Sequence, residues 1–219
     1  MKQFLILCSI LFLLVGCSDK VADEVAIPVL SPEEEEVRIE LPNEVTFPVD
    51  GESYTITLSE IPFLAHYLSS STNVNQTIEG FRGQTIHNSE DFKLIMMEYA
   101  CQNTTQKCSY ILIKEYGDNT AMVPLTDLAK YEDYTLSPEE EYVIVQFNRE
   151  TNSGTRSHLL AVHLKDEEVV KLSNPDLSSD VLHYNYPIES ITWVEENIIE
   201  IELSGTLTEG LSNPIRLEM

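Results

Sequence analysis

Apolar residues along the chain fall into short alternating runs, and their spacing gives the first outline of the fold. Val45–Val49 and Tyr54–Leu58 flank Asp50-Gly51, a dipeptide that accepts left-handed backbone, so this stretch predicts a β-hairpin. Beyond it, Ile61, Leu64, Ala65 and Leu68 lie on one stripe at helical spacing. Ser59 stands as a cap and Pro62 in the first turn, which predicts a helix over Glu60–Ser69. Asn73–Asn88 is polar and reads as loop-rich. Phe92, Ile95, Met96 and Tyr99 also fit helical spacing, with Ser89 as a possible cap. However, Cys101–Cys108 sits symmetrically between Phe92–Ala100 and the strand-like run Tyr110–Tyr116, so a strand is favoured for Phe92–Ala100. A weak signal places a short helical turn in Thr126–Tyr134.

The second half of the chain is plainer. Tyr142–Phe147, His158–Leu164, Val169–Leu172, Ile188–Val194, Ile198–Leu203 and Ile215–Leu217 are short β-branched or aromatic runs. Polar segments separate them: Asn148–Arg156, Lys165–Glu168, Asn174–Asp176 and Glu195–Asn197. Short strands with polar turns predict a mainly β fold with a minor α component. The expected architecture is an antiparallel meander that forms a sandwich or an incomplete propeller-like sheet, with one or two short helices. The globular region reads as residues 45–219.

The start of the chain follows another pattern. Lys2 precedes the apolar run Phe4–Val15, then Gly16 and Cys17, then the polar Ser18-Asp19-Lys20. A charged start, a short apolar core and a small-residue exit describe a secretory signal peptide. The run is too short to span a bilayer, which needs ~20 apolar residues. Leu14-Val15-Gly16-Cys17 resembles the lipobox of bacterial lipoproteins. That resemblance implies removal of residues 1–16 and attachment of a diacylglyceryl group to the Cys17 thiol. Acylation of this kind, palmitate included, holds a protein to a membrane, because each buried methylene contributes ~0.8 kcal/mol and two or three chains suffice. The chain is then expected in the cell envelope, anchored on the extracytoplasmic face of a membrane.

Residues 17–44 read as a lipidated acidic tether. Ser18–Glu44 holds nine acids against Lys20 and Arg38, with prolines at 28, 32 and 42. Like charges extend such a segment. The run Glu33–Glu36 is read as a solvated charge run rather than a calcium loop, since consecutive side chains diverge and no Asp-x-Asp-x-Asp-Gly pattern is present.

Two stretches echo one another. Leu30–Leu41 and Leu136–Phe147 match at seven of twelve positions, each running from a Ser-Pro-Glu-Glu turn into an outgoing segment. Ser-x-x-Glu is also a capping box, but the β-branched run after Tyr142 argues for a strand. The second copy, with Leu159–Leu164, Glu168–Leu172 and Ile188–Val194, resembles blades of a β-propeller. No glycine follows the acidic turn, as it would in such repeats. By analogy the resemblance implies a binding or scaffolding role.

Charge narrows the partners. The sequence has 37 acidic and 13 basic residues, a net charge of −24 that becomes −25 once Lys2 is lost. That balance argues against nucleic acid and against flat adhesion to anionic lipid, both of which draw on Lys and Arg. Four cysteines occur. Cys8 leaves with the signal peptide and Cys17 takes lipid, so Cys101 and Cys108 remain as an even pair in an oxidising compartment. A structural disulfide across a hairpin is expected, worth about 2–3 kcal/mol in the chain-entropy model. The spacing is not Cys-x-x-Cys, and only Lys107 nearby would lower a thiol pKa, which weighs against a redox-active pair.

No strong catalytic motif stands out. The histidines (66, 87, 158, 163 and 183) are scattered, and His158 and His163 fall on opposite faces of a strand. No metal, cofactor or catalytic residue is therefore assigned. Trp193, Tyr184 and Tyr186 are the aromatics that could line a ligand groove, with core or rim packing as the alternative. Two functional classes follow. The favoured one is a non-enzymatic lipoprotein that binds or scaffolds an envelope component, with an envelope protein as the candidate partner. The other is a hydrolase whose site residues meet only in the fold.

Overall fold

The computed structural model describes residues 40–102, 104–152, 154–174, 183–204 and 214–219. Residues 1–39, on which the expected signal peptide, Cys17, most of the expected tether and most of the first copy of the echo fall, lie outside the described residues.

The first hairpin forms as its pattern predicts. Strands β1 (Glu44–Val49) and β2 (Glu52–Thr57) pair antiparallel with Val49 opposite Glu52. The turn residues Asp50 and Gly51 take φ of 52° and 89°, and glycine accommodates the second without a Cβ penalty. A 3-10 turn over Leu58–Glu60 follows, then helix α1 (Pro62–Ser69), whose Leu64 and Leu68 are buried. Ser59 is not the cap. Fully buried Ile61 occupies that position with no side-chain cap bond, because the 3-10 turn brings its side chain into the core.

The polar stretch expected as loop is in fact ordered. Asn73 caps helix α2 (Val74–Glu79), its Oδ1 accepting from the Gln76 amide at 3.1 Å. Strand β3 (Arg82–Asn88) then pairs antiparallel with β4 (Lys93–Tyr99) and parallel with β1 at Val49–Gly83. Only Ile86 of β3 is buried, so the order of β3 comes from its neighbours rather than from its own apolar content.

Strands β4 (Lys93–Tyr99) and β5 (Cys108–Tyr116) explain the ambiguous Phe92–Ala100 signal. Ile95 and Met97 enter one core while Leu94 and Met96 enter another. A strand buried on both faces reads as a continuous apolar run, which mimics helical spacing. The strand reading holds.

Strand β6 (Asn119–Leu136) is the hinge of the architecture. Its first part pairs with β5 as far as Ala129, and from Lys130 it pairs with β7 (Tyr142–Thr151). Leu128, at φ 49°, lies where the partner changes. The helical turn expected at Thr126–Tyr134 is therefore wrong. Strand alternation is lost there because the strand bends from one sheet half into the other. The strands continue with β8 (Gly154–His163), β9 (Glu168–Val170) and β10 (His183–Tyr186), in the order β10-β8-β7-β6-β5-β4-β3-β1-β2 with β9 also on β8. The polar segment Asn148–Arg156, expected to separate strands, is instead the paired tip of the β7–β8 hairpin, with Arg149 opposite Arg156 and Gly154 at φ 101°. A second sheet has the order β11 (Ile188–Glu195), β12 (Ile198–Leu203), β13 (Ile215–Glu218).

Three buried clusters fix how these layers stack. The 3-10 turn and α1 cover the outer face of β1–β5 through Leu58, Ile61, Leu64, Leu68, Phe81, Ile95 and Ile111. Leu94, Met96, Tyr110 and Leu112 from one sheet half meet Val143, Val145, Phe147 and Val162 from the other, which makes a sandwich out of one folded sheet. Ile144, Leu159 and Ala161 on the far side of β7 and β8 pack against Ile199, Ile201, Ile215 and Leu217 of the small sheet. Buried Gln146 and Ser157 tie that last interface: the Ser157 hydroxyl accepts from the Ile188 amide at 3.1 Å, and Gln146 Nε2 donates to the Ile188 carbonyl at 3.3 Å.

Where β3 crosses β1 the packing leaves no room for a side chain. A Cβ on Gly83 would stand 2.8 Å from Val49 Cγ2, with Phe47 Cε2 at 3.2 Å. Gly83→Ala is expected to destabilise by about 1–3 kcal/mol through overpacking. The check is a lower urea midpoint with an unchanged slope.

Candidate functional site

At one end of the sandwich, β3, β4, β5 and β6 leave a cavity of about 570 Å3. Its lining includes Gln84, Glu98, the Cys101–Cys108 bridge, Tyr110, Lys130 and Tyr131. Strand alternation builds it. Glu98 occupies the next inward position after Leu94 and Met96, opposite Tyr110 on β5.

The β4–β5 connection closes the cavity's rim. Cys101 and Cys108 form the expected disulfide, with the first sulfur's residue exposed and the second's buried. Gln102 donates its amide to the Lys107 carbonyl at 2.8 Å and accepts the Gln106 amide at 3.0 Å. Ala100 and Gln106 take φ of 52° and 54°, left-handed positions that the bridge and these bonds hold in place.

Burial sets the site's electrostatics. Desolvation raises the Glu98 carboxyl above its ordinary range, and the Arg82 charge opposes that rise only in part. Among the described residues, no ion pair reaches the Glu98 carboxylate. Glu98 Oε2 lies 3.8 Å from Cys108 Sγ, a sulfur that carries no proton in the bridge. Burial also pushes Tyr110 up to about 12, although its hydroxyl accepts the Tyr131 amide at 3.0 Å. Tyr131 is pushed up as well, by burial and then by Asp133. The rings of Tyr110 and Tyr131 line the cavity and pack on Phe147 behind them, with centroids 5.0–6.5 Å apart.

A smaller cavity of about 310 Å3 lies beside the first hairpin, lined by Asp50, Glu52, Tyr54, Thr85 and Lys93 among others. Its groups are engaged with one another. Hydrogen bonds from Thr85 lower the Asp50 pKa, the backbone amide lying 3.0 Å from Oδ2. Tyr54 donates to Glu115 at 2.8 Å, and Lys93 pairs with Glu115 at 3.8 Å. Neither cavity is lined by a histidine.

Neither of the two cavities above is lined by an aromatic singled out from the sequence. Trp193 packs on the cluster under the small sheet and donates its indole N–H to Thr135 Oγ1 at 3.0 Å. Tyr186 packs on that same cluster, whereas Tyr184 borders the sandwich core. Tyr184 lies beneath the Arg149 guanidinium at 3.9 Å and beside His158 at 5.0 Å, with φ at 57°. All three pack, partly buried, against these clusters. His163 stacks on Tyr142 and pairs with Asp166 at 2.7 Å, while His158 faces His183 at 4.5 Å.

Sequence reasoning missed Glu98, Tyr110, Lys130 and Tyr131. One signal was available: Glu98 is the acid that interrupts an otherwise apolar strand, on the Leu94–Met96 face and three residues before Cys101. The chain matches no family model, no curated protein and no solved structure.

The raised Glu98 pKa has a signed consequence. The folded chain holds this proton more tightly than the unfolded one, so stability falls as pH rises from about 4.5 through the raised value. Glu98→Gln is expected to abolish that fall. The variant should melt above the parent at neutral pH and level with it in acid, as thermal unfolding across pH 3–8 would record.

Proposed function

We propose that this chain is a lipid-anchored protein of the cell envelope that binds an envelope component through the cavity at the end of its sandwich, without transforming it. The observation that carries the reading is the make-up of that cavity. Tyrosine rings and glutamine amides surround a single half-buried carboxylate, and among the described residues no histidine or serine lines it to form a nucleophile–base couple. A disulfide-closed rim accords with an oxidising compartment. The lipobox-like Leu14–Cys17 supplies the anchor, and none of the described helices is long and apolar enough to cross a membrane. The acidic composition of Ser18–Glu44 disfavours flat adhesion of that segment to an anionic bilayer.

Anchor and partner are tested separately. Cys17→Ser is expected to lose labelled palmitate and to leave the membrane fraction. A variant still cleaved at the same bond and still sedimenting with membranes would overturn the anchor. For the partner, a photo-crosslinking amino acid is placed at exposed Lys130 on the cavity, with exposed Glu189 on β11 as the control position. One discrete protein adduct from position 130 and none from 189 is the expected result in the native envelope. Adducts from 189 alone, or none from 130, would refute the cavity as the binding surface.

A further inference from the structure

The disulfide and Glu98 together contain more than a structural staple. One carboxylate oxygen and two sulfurs, from Glu98, Cys101 and Cys108, all lie within 4.8 Å of one another. Glu98 Oε2 faces Cys108 Sγ at 3.8 Å with no proton between them, and no cation contacts the carboxylate among the described residues.

We propose that reduction of this bridge converts the end of the β4–β5 hairpin into a zinc site, with Cys101, Cys108 and Glu98 as three ligands and a water from the cavity as the fourth. The inference goes beyond the binding reading and stands whether or not a protein partner exists.

The dimensions suit the ion. Zinc takes thiolate at ~2.3 Å and carboxylate at ~2.0 Å in tetrahedral array, which puts ligand sulfur and oxygen about 3.5 Å apart. The present separation of 3.8 Å is close to that value. The two sulfurs need to part to about 3.8 Å, and side-chain rotation at exposed Cys101 can supply the movement. Thiolates exclude calcium and magnesium, while a mixed sulfur and oxygen set suits zinc. The site lies on paired strands on one side (Glu98 and Cys108) and on a hydrogen-bonded loop on the other, so its ligands are already gathered.

The chemistry balances with a dithiol as reductant. Its thiolate attacks the sulfur of exposed residue Cys101 and expels the Cys108 thiolate. The second thiol of the reductant then resolves the mixed disulfide. Two electrons and two protons pass to the protein, and the reductant leaves as its own disulfide. Zinc subsequently displaces the thiol protons to water, so its affinity should fall in acid.

The test uses the full chain with Cys8→Ser and Cys17→Ser, which leaves Cys101 and Cys108 as the thiols. Zinc is titrated against a chromophoric chelator, with and without prior anaerobic reduction. The reduced chain should bind one zinc per chain at least a hundredfold more tightly than the bridged chain. Cobalt in its place should show thiolate-to-metal charge-transfer absorption. Glu98→Gln should weaken zinc at least tenfold, a loss that an unfolded dithiol would not register. Zinc should also raise the melting temperature of the reduced chain and leave that of the bridged chain unchanged. Equal affinity in the two redox states would overturn the proposal, as would cobalt without thiolate bands. An unaltered affinity in Glu98→Gln, or a reduced chain that zinc does not stabilise, would do the same.

Discussion

The structure depends on one strand crossing between two sheet halves. Because β6 leaves β5 after Ala129 and joins β7 at Lys130, a single meander folds back on itself, and Met96 and Leu112 come to share a core with Val145 and Phe147. Those residues are fully or almost fully buried, and each large side chain so buried contributes ~1.5–3 kcal/mol. An unbent β6 would leave that face of β4 and β5 in water. It would also leave β7 and β8 without a support for the small sheet, which packs on their reverse side. The layers therefore stand or fall with the bend.

The same bend explains where a cavity can exist. Two sheet halves that diverge from a shared strand cannot be filled equally along their length. The core is dense at Phe147 and opens toward Glu98, Gln84 and Lys130. A polar end to an apolar sandwich would fray without closure. The Cys101–Cys108 bridge and the Gln102 hydrogen bonds supply that closure over a loop with two left-handed residues. The group left at the boundary is a half-buried carboxylate with no ion pair among the described residues.

How much of this was legible in the sequence depends on where the order comes from. The β1–β2 hairpin, α1 and the C-terminal strands carry their own signal, because their alternation or helical stripe matches one buried face. The disulfide was legible for the same local reason, with two cysteines flanking a polar turn. Elements stabilised by their neighbours were not. Strand β3 has one buried residue and a glycine whose emptiness is needed by Val49, and β10 is four residues held to β8 with an irregular register. β6 hid because a bend erases the two-residue period that strand reading relies on. The cavity was invisible for a further reason: Glu98, Tyr110 and Tyr131 lie on three strands, and only the folded sheet brings them together.

The half-buried carboxylate links the chemistry of that end of the molecule to its stability. A charge at Glu98 is disfavoured by burial, and among the described residues no ion pair answers it. Three things can relieve it: a proton, a cationic group from a partner, or a metal ion. Elsewhere a residue in this position would be replaced by an apolar one, since the surrounding face is Leu94 and Met96. Placed instead within reach of two sulfurs at the rim of an open cavity, the charge is a standing preference for something positive. A positive group that met this carboxylate only in the folded hairpin would stabilise that end of the sandwich by mass action.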